Sequence, residues 1–304
     1  MSPTSMHKGD KNAAPTILVT GASGQVGFEL LRALQGLGRV VPCDRATLDL
    51  SDTDRVRAFV RAVKPSLIVN PAAYTAVDQA ENDVGVARRL NADVPRVFAE
   101  EMARSGGALV HYSTDYVFDG TKADAYEETD ATNPVNVYGA TKLDGERAIA
   151  ATGCAHLILR TSWVYGRRGR NFLLTMLKLG AERPALRIVA DQVGAPTWAR
   201  TIAAATAHIV AQGTASTDVD WWARRTGVYH LTSAGATSWC GFAEAIFATA
   251  KVSPAPQVVP IASSEYPTPA QRPANSRLAL DKLGATFGLQ MPDWREALAL
   301  CLGE

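Results

Sequence analysis

The residues Thr16-Ile-Leu-Val-Thr20 form a short apolar run that ends directly in Gly21-Ala-Ser23-Gly24-Gln25-Val26-Gly27. Few features constrain a fold more. A bounded apolar run of this length reads as a buried strand. Helical spacing of Phe28, Leu30, Leu31 and Leu34 then runs from Gly27 to Leu37, and Gly36 and Gly38 suit a helix stop. A strand that turns through glycines into a helix opens a βαβ unit. The spacing is G-x-x-G-x-x-G, one residue longer in its first interval than the common G-x-G-x-x-G. Glycines permit the tight turn and let backbone N–H groups approach a pyrophosphate, while the helix N-terminus adds favourable partial charge. Gly21, Ser23, Gly24, Gln25, Val26 and Gly27 are therefore candidate dinucleotide contacts.

The alternation continues downstream. Arg39–Cys43 reads as a second strand, and Asp52–Val63 as an amphipathic helix with Ser51 as its N-cap. Pro65–Asn70 is another buried strand. Val84–Ser105 is helical by periodicity, with Pro95 as a break or kink. Ala108–Ser113 is a strand, Tyr138–Ala151 a helix and His156–Arg160 a strand. Strands alternating with helices predict an α/β protein, a Rossmann-type doubly wound parallel sheet with helices on both faces. After residue 165 the pattern loosens, with short strands expected at Arg187–Ala190 and Val228–Leu231 and prolines at 254, 256, 260, 267, 269 and 273. The expected organisation is a polar, disordered leader over 1–15 without the apolar stretch of a signal peptide. A dinucleotide-binding domain over 16–166 plus 199–232 follows. A smaller mixed C-terminal substrate-binding domain takes 167–198 plus 233–304.

Ligands on such sheets bind beyond the carboxyl ends of the strands. Gly21, Asp44, Ala72, Thr114 and Thr161 all fall there. An acidic residue about 20 positions after the glycines would bind the adenosine ribose, which suits Asp44. Its neighbour Arg45 would instead meet a 2′-phosphate, so NADH and NADPH both stay open. Asp49 and Leu50 are candidates for the adenine contact. Tyr138 and Lys142 stand four apart, on one helix face. A nearby ammonium favours the phenolate, which would make Tyr138 a proton donor or acceptor near neutral pH. A hydroxyl from Thr114 or Ser113 would hold the substrate oxygen.

Bulk properties remove other classes. The net charge is +1 and no long basic run occurs, which argues against nucleic acid as a partner. No run reaches the length of a membrane span. Cysteines 43, 154, 240 and 301 lie far apart with no Cys-x-x-Cys, and five histidines are few, so neither a zinc site nor a disulfide framework is indicated. A reducing cytoplasm is the expected setting.

Several segments together carry a resemblance: Thr20–Gly27, Asn70-Pro-Ala-Ala-Tyr-Thr-Ala-Val-Asp78, Tyr112-Ser-Thr-Asp-Tyr-Val-Phe-Asp-Gly120, Asn136-Val-Tyr-Gly-Ala-Thr-Lys142, Arg160-Thr-Ser-Trp-Val-Tyr-Gly166, Asp191-Gln-Val-Gly-Ala-Pro-Thr197 and Arg272-Pro-Ala-Asn-Ser-Arg277. The chain resembles the extended short-chain dehydrogenase/reductases and, within them, the dTDP-4-dehydrorhamnose reductases, from Thr16 to the C-terminus. The first and fourth segments mark the superfamily; the Ser-Thr-Asp-Tyr-Val-Phe, Arg-Thr-Ser-Trp-Val-Tyr-Gly and Asp-Gln-Val-Gly-Ala-Pro-Thr segments are more specific. The resemblance implies Tyr138 as general acid, Lys142 on the nicotinamide ribose, and Thr114 as the third catalytic hydroxyl; the adjacent Ser113 would point to the opposite side of the strand and reads as a backbone-bonding serine at the strand end. It implies Ala72, Ala73 and Tyr74 along the cofactor, Thr75, Val77, Asp78 and Asp115 at the sugar pocket, and Trp163 facing the hexose. Asn171, Gln192 and Arg272 are implied for the nucleotide-sugar phosphates and base. Glu29 matches a carboxylate that binds magnesium at a dimer interface in some relatives, but Arg200 stands where another acidic ligand is expected, which argues against a metal. The implied reaction is NAD(P)H-dependent reduction of the C4 ketone of dTDP-4-dehydro-β-L-rhamnose, by a monomer or homodimer. Alternatives are a reductase of another nucleotide-linked 4-keto-6-deoxyhexose, or a non-catalytic regulatory subunit of the methionine adenosyltransferase type. The intact catalytic set counts against the latter.

Overall fold

Strand β1 (Thr16–Val19) lies between two parallel partners, and its side chains alternate between two cores. Ile17 and Val19 enter one, Leu18 the other. Burial on both faces is why the run is continuously apolar rather than alternating. The computed structural model describes residues 14–303. The leader expected over 1–15 therefore lies outside the described residues except for Ala14 and Pro15. The Pro15 carbonyl accepts a hydrogen bond from the Arg39 backbone N–H at 2.8 Å.

The partners are β2 (Arg39–Pro42) and β3 (Leu67–Asn70), followed by β4 (Ala108–Thr114), β5 (Ala155–Thr161) and β6 (Gly227–His230). All are parallel, in the order β6-β5-β4-β3-β1-β2. Helix α1 (Gln25–Ala33) contributes Leu30 to one core, and the flanking Leu34 joins it there. On the opposite face α2 (Thr53–Val63) contributes Val56 and Val60, α3 (Val94–Ser105) Phe98 and Met102, and α4 (Val137–Ala151) Ile149. Helix α5 (Ala199–Ala215) packs beside α1 through Ile202 and Ile209. The sheet is thus covered on both sides, as the α/β pattern predicts. No helix among the described residues is long and apolar enough to cross a membrane.

Two local expectations change. Asp52, not Ser51, caps α2: its carboxylate accepts from the Arg55 N–H at 3.0 Å. Both residue types suit that role, and Asp52 takes it because it immediately precedes the first helical residue. The helix expected over 84–105, with Pro95 as a break or kink, changes character just before that proline. Val84–Arg88 runs into a π-helical stretch, Arg89–Asp93, before α3 begins. Pro95 is the second residue of α3, directly after the π-helical stretch.

The remaining segments build a third core from Tyr165, Leu173, Met176, Phe242, Phe247 and Trp294. Strands Ala185–Val189 and Gln257–Ile261 pair in parallel beside it. We propose the division set out above on the basis of these cores, with one refinement. Leu283 and Phe287, from the helix Asp281–Phe287, pack with Trp221 and Tyr229 in the main-sheet core rather than the third.

Candidate active site

Two glycines shape the turn after β1. Gly21 has φ of 54°, a left-handed conformation that side chains rarely adopt. A Cβ on Gly27 would lie 2.1 Å from the Gly21 carbonyl oxygen, so no larger residue fits where the helix crosses its own strand. Ala72, after β3, approaches Gly21 so closely that a Cβ there would meet its backbone at 3.1 Å. The loops after β1 and β3 therefore touch where the winding of the sheet reverses, the place where such folds bind ligands. Ser23 and Gly24 are exposed at the tip.

The adenosine-side candidates are occupied with their own turns. Asp44 accepts from the backbone of Thr47 and Ala46 and from the Thr47 hydroxyl, each at 3.0 Å. Those bonds, Thr47 first, hold its carboxyl below the usual range. Asp49 is held down in the same way by Ser51. Arg45 is exposed, and Leu50 packs at the edge of the core beneath α2. Tyr74 is fixed at three points. Asn91, from the π-helical stretch, accepts from its N–H at 2.8 Å and donates to its carbonyl at 3.1 Å, while its hydroxyl donates to Asp83 at 2.7 Å. Asn91 also donates to Thr141 of α4, joining the Ala72–Tyr74 loop to the helix that carries Tyr138.

Helix α4 is positioned at its first turn. The Asn136 side chain accepts from the Gly139 N–H at 2.8 Å and donates to the Gln271 carbonyl at 2.7 Å. Glu81 accepts from the Val137 N–H at 2.9 Å. Gly139 has to be glycine, since a Cβ would lie 2.1 Å from the Tyr116 carbonyl oxygen. This close approach sets the Tyr138 ring edge-on to Tyr116, with centroids 5.7 Å apart. The Thr114 hydroxyl donates to Asp115 at 3.0 Å, accepts from the Tyr116 N–H at 3.2 Å and lies close enough to Tyr138 to oppose the rise of its phenol.

The electrostatics differ from the expectation of a phenol acidified by its lysine. Burial pushes Tyr138 up to about 12, with Thr114 opposing and Asp115 reinforcing. The Lys142 ammonium is spent elsewhere: it donates to the Tyr112 carbonyl at 2.6 Å and lies 3.2 Å from His111 Nε2. Burial lowers Lys142 to about 8 against the raising effect of Glu146. Glu146 is itself closed by Arg160 at 2.6 Å. Burial also raises Asp115 to about 6. Ser113 forms no backbone bond through its hydroxyl. Its Oγ, with Thr161 Oγ1, Thr232 Oγ1 and Ser233 Oγ, is buried and lacks a hydrogen-bond partner among the described residues. Unmatched polar atoms at the carboxyl edge of β4, β5 and β6 are what a site for a polar ligand leaves when described alone.

On the substrate side, Asp78 and Arg272 pair with each other in a bidentate bridge of 2.7 and 2.8 Å. Arg272 holds the Asp78 carboxyl below its usual range. Thr75 is exposed and Val77 half-buried beside them. Trp163 has φ of 47°, uncommon outside glycine, and its indole stacks on Trp239 at 3.5 Å between centroids. Gln192 accepts from Trp239 Nε1 at 3.2 Å, which brings Trp163 and Gln192 to one wall. Asn171 lies apart from that wall. It caps the helix Phe172–Glu182 and donates to Gln25 at 2.8 Å, beside the glycine turn. Sequence reasoning missed Asn91, Tyr116, His111 and Trp239 as parts of this site. Only Asn136, immediately before a helical run, carried a local capping signal. No metal cluster is gathered among the described residues. The Arg200 guanidinium lies over the Trp198 ring at 5.6 Å.

Comparison with known proteins identifies the family of the chain. Residues 15–304 match the family model described as the RmlD substrate binding domain. A dTDP-4-dehydrorhamnose reductase from Burkholderia thailandensis is 54% identical, over 94% of this chain and 97% of its own length. That of Escherichia coli K12 is 42% identical over 95% of this chain and 97% of its own. The crystal structure of dTDP-4-dehydrorhamnose reductase from Bacillus anthracis in complex with NADP superposes with a TM-score of 0.87, at 34% identity, covering 94% of this chain and 98% of that one. Sequence, family model and fold agree over nearly the full length, and the chain belongs to the dTDP-4-dehydrorhamnose reductase family.

Proposed function

We propose that this protein reduces the C4 ketone of dTDP-4-dehydro-β-L-rhamnose with NADPH, giving dTDP-L-rhamnose. One observation carries the reading. Buried Thr114 stands beside the half-buried Tyr138 at the carboxyl edge of a nucleotide-binding sheet, in a chain 54% identical to a reductase of that name. The turn Gly21–Gly27 with Ala72, Ala73 and Tyr74 would hold the dinucleotide, with Asp44, Arg45, Asp49 and Leu50 at its adenosine end. NADPH, when bound, supplies the hydride.

The chain's own residues manage the oxygen and its proton. Tyr138, raised to about 12, stays un-ionised at neutral pH and so retains a proton to give. An alkoxide is a far stronger base than a phenolate, so transfer from Tyr138 to the nascent C4 oxygen is downhill. Thr114, whose single proton is donated to Asp115 in the ligand-free structure, would turn that proton to the C4 oxygen when the ketone binds. Lys142 brings positive charge to the helix face of Tyr138 and, below about pH 8, offsets the phenolate that remains. Trp163 on its Trp239 support, Gln192, and the Asp78–Arg272 pair would form the walls that receive the dTDP-linked sugar. Four free, buried cysteines are compatible with a reducing cytoplasm, where we place the reaction.

The test is direct. Purified protein is supplied with dTDP-4-dehydrorhamnose and each reduced cofactor, cofactor oxidation is followed, and the sugar product is identified. NADPH oxidation coupled to dTDP-L-rhamnose is expected. No turnover with either cofactor, from folded protein, would overturn the reading.

A further inference from the structure

Beneath the Tyr138 helix runs a line of four buried side chains across three adjacent strands. Thr20 follows β1, Asn70 ends β3, and His111 pairs with Asn70 in register on β4. Lys142 reaches down from α4. Thr20, Asn70 and His111 are fully buried, and Lys142 nearly so. The contacts are 3.2 Å from Lys142 Nζ to His111 Nε2, 3.0 Å from His111 Nδ1 to Asn70 Nδ2, and 2.5 Å from Thr20 Oγ1 to Asn70 Oδ1. None of these groups except Lys142 has a part in the reaction described above.

The line contains a conflict of donors. A neutral imidazole has one N–H and one lone pair. Here Nε2 faces an ammonium and Nδ1 faces an amide nitrogen, so both ring nitrogens meet donors. Adding a second ring proton does not resolve it, because burial and then the Lys142 charge hold His111 well below its usual range. Two arrangements do resolve it. With Lys142 charged, Nε2 accepts from the ammonium, Nδ1 carries the proton, and the Asn70 amide is reversed so that its oxygen accepts from Nδ1–H. With Lys142 neutral, its lone pair accepts from Nε2–H, Nδ1 accepts from the Asn70 amide, and Thr20 donates to the Asn70 oxygen. Amide reversal exchanges groups of nearly equal size, so both arrangements fit the same cavity.

We propose that His111 is a positioning residue for Lys142, and that its ring tautomer is coupled to the charge that Lys142 carries. The other ionisable groups around the line are Glu146 on α4, its partner Arg160 on β5, and His156 on β5. Tyr138 and Asp115 lie at the site itself. The Tyr112 phenol points away, to Thr206 at 2.7 Å. With Lys142 lowered to about 8, the exchange falls in a pH range the folded protein can be carried through.

The kinetic part of this proposal rests on the reductase reading, and the spectroscopic part does not. Ring-nitrogen NMR shifts of His111, assigned against H111Q, are followed in the unmodified protein across neutral to alkaline pH. The expected result is the Nδ1–H tautomer at low pH and the Nε2–H tautomer at high pH, exchanging near pH 8, with no imidazolium. A single tautomer throughout, or an imidazolium, would overturn the proposal. Lys142→Met should abolish the exchange, and its persistence would also overturn it. In kinetics, H111L removes an acceptor from the ammonium. The alkaline limb of kcat should then move down by about one pH unit, a tenfold change in the Lys142 protonation constant. H111Q, whose side-chain oxygen can accept, should recover most of that shift. A uniform loss of kcat with the limb unmoved would mean a merely structural role. Absence of turnover in the unmodified protein would sink the reductase reading and leave the tautomer measurement standing.

Discussion

Replacing Asp115 by asparagine is expected to stabilise the folded protein at neutral and alkaline pH and to destabilise it by about 1 kcal/mol in acid, where the amide's unmet need for acceptors outweighs the small charge gain. Asp115 is 3% exposed, and burial raises its carboxyl to about 6 against the opposing effect of the nearby Ser276 and Thr114 hydroxyls. A carboxyl whose folded value lies above its unfolded value near 3.8 favours folding only while protonated. That contribution is fully present below about pH 4 and is lost as the pH rises through about 6. Linkage puts the relative cost of the ionised group at about 3 kcal/mol at pH 8 and about half a kcal/mol at pH 4. Asparagine removes the charge but brings an amide that needs acceptors, which returns about 1–2 kcal/mol of the gain. The net gain at pH 8 is therefore about 1–2 kcal/mol, and for a chain of this size Tm should rise by about 2–4 °C. Thermal melts of ligand-free wild-type and Asp115→Asn protein at pH 4 and pH 8 decide it. An equal Tm shift at both pH values, or a loss at pH 8, would refute the reasoning. A carboxylate that costs stability where the protein works is what a site residue under functional selection looks like.

Tyr138→Phe keeps the ring against Tyr116 and removes only the proton donor, so kcat should fall by about 10²–10⁴-fold while NADPH affinity, read by titration, stays within about threefold. Near-normal turnover would remove Tyr138 from that role. Arg45→Ala should weaken NADPH by about tenfold, as expected for one exposed charge-assisted hydrogen bond, and leave NADH almost unchanged. Equal effects on both cofactors in binding titrations would exclude contact with the 2′-phosphate. Asn136→Ala removes both the α4 cap and the tether to Gln271, and should lower stability in denaturant unfolding by about 1–2 kcal/mol. A change within about 0.3 kcal/mol would mean that Glu81 alone holds that helix end.

The parts of this protein that were legible in its sequence are those set by neighbours along the chain. The glycine turn, the continuously apolar strands and the helical spacing of α1 are local patterns, and each appears where its period places it. The π-helical stretch was not legible, because only the five residues Val84–Arg88 precede it, too few to fix a helical phase against which a one-residue shift could be read. The pairing of Asp78 with Arg272 was out of reach for a different reason: 194 residues separate them, and each alone reads as a polar loop residue. The Tyr138–Lys142 pair shows why spacing fixes place before chemistry. Four residues on a helix put two side chains on one face, but that face is pressed against β4. A buried ammonium must satisfy its N–H groups with whatever that strand offers, here the Tyr112 carbonyl and the His111 ring. The phenol, half-buried and lacking an ammonium bonded to it, is raised rather than lowered. Proton donation to a ketone asks only that the phenol keep its proton until the oxygen becomes basic, and burial secures that more directly than a neighbouring charge would.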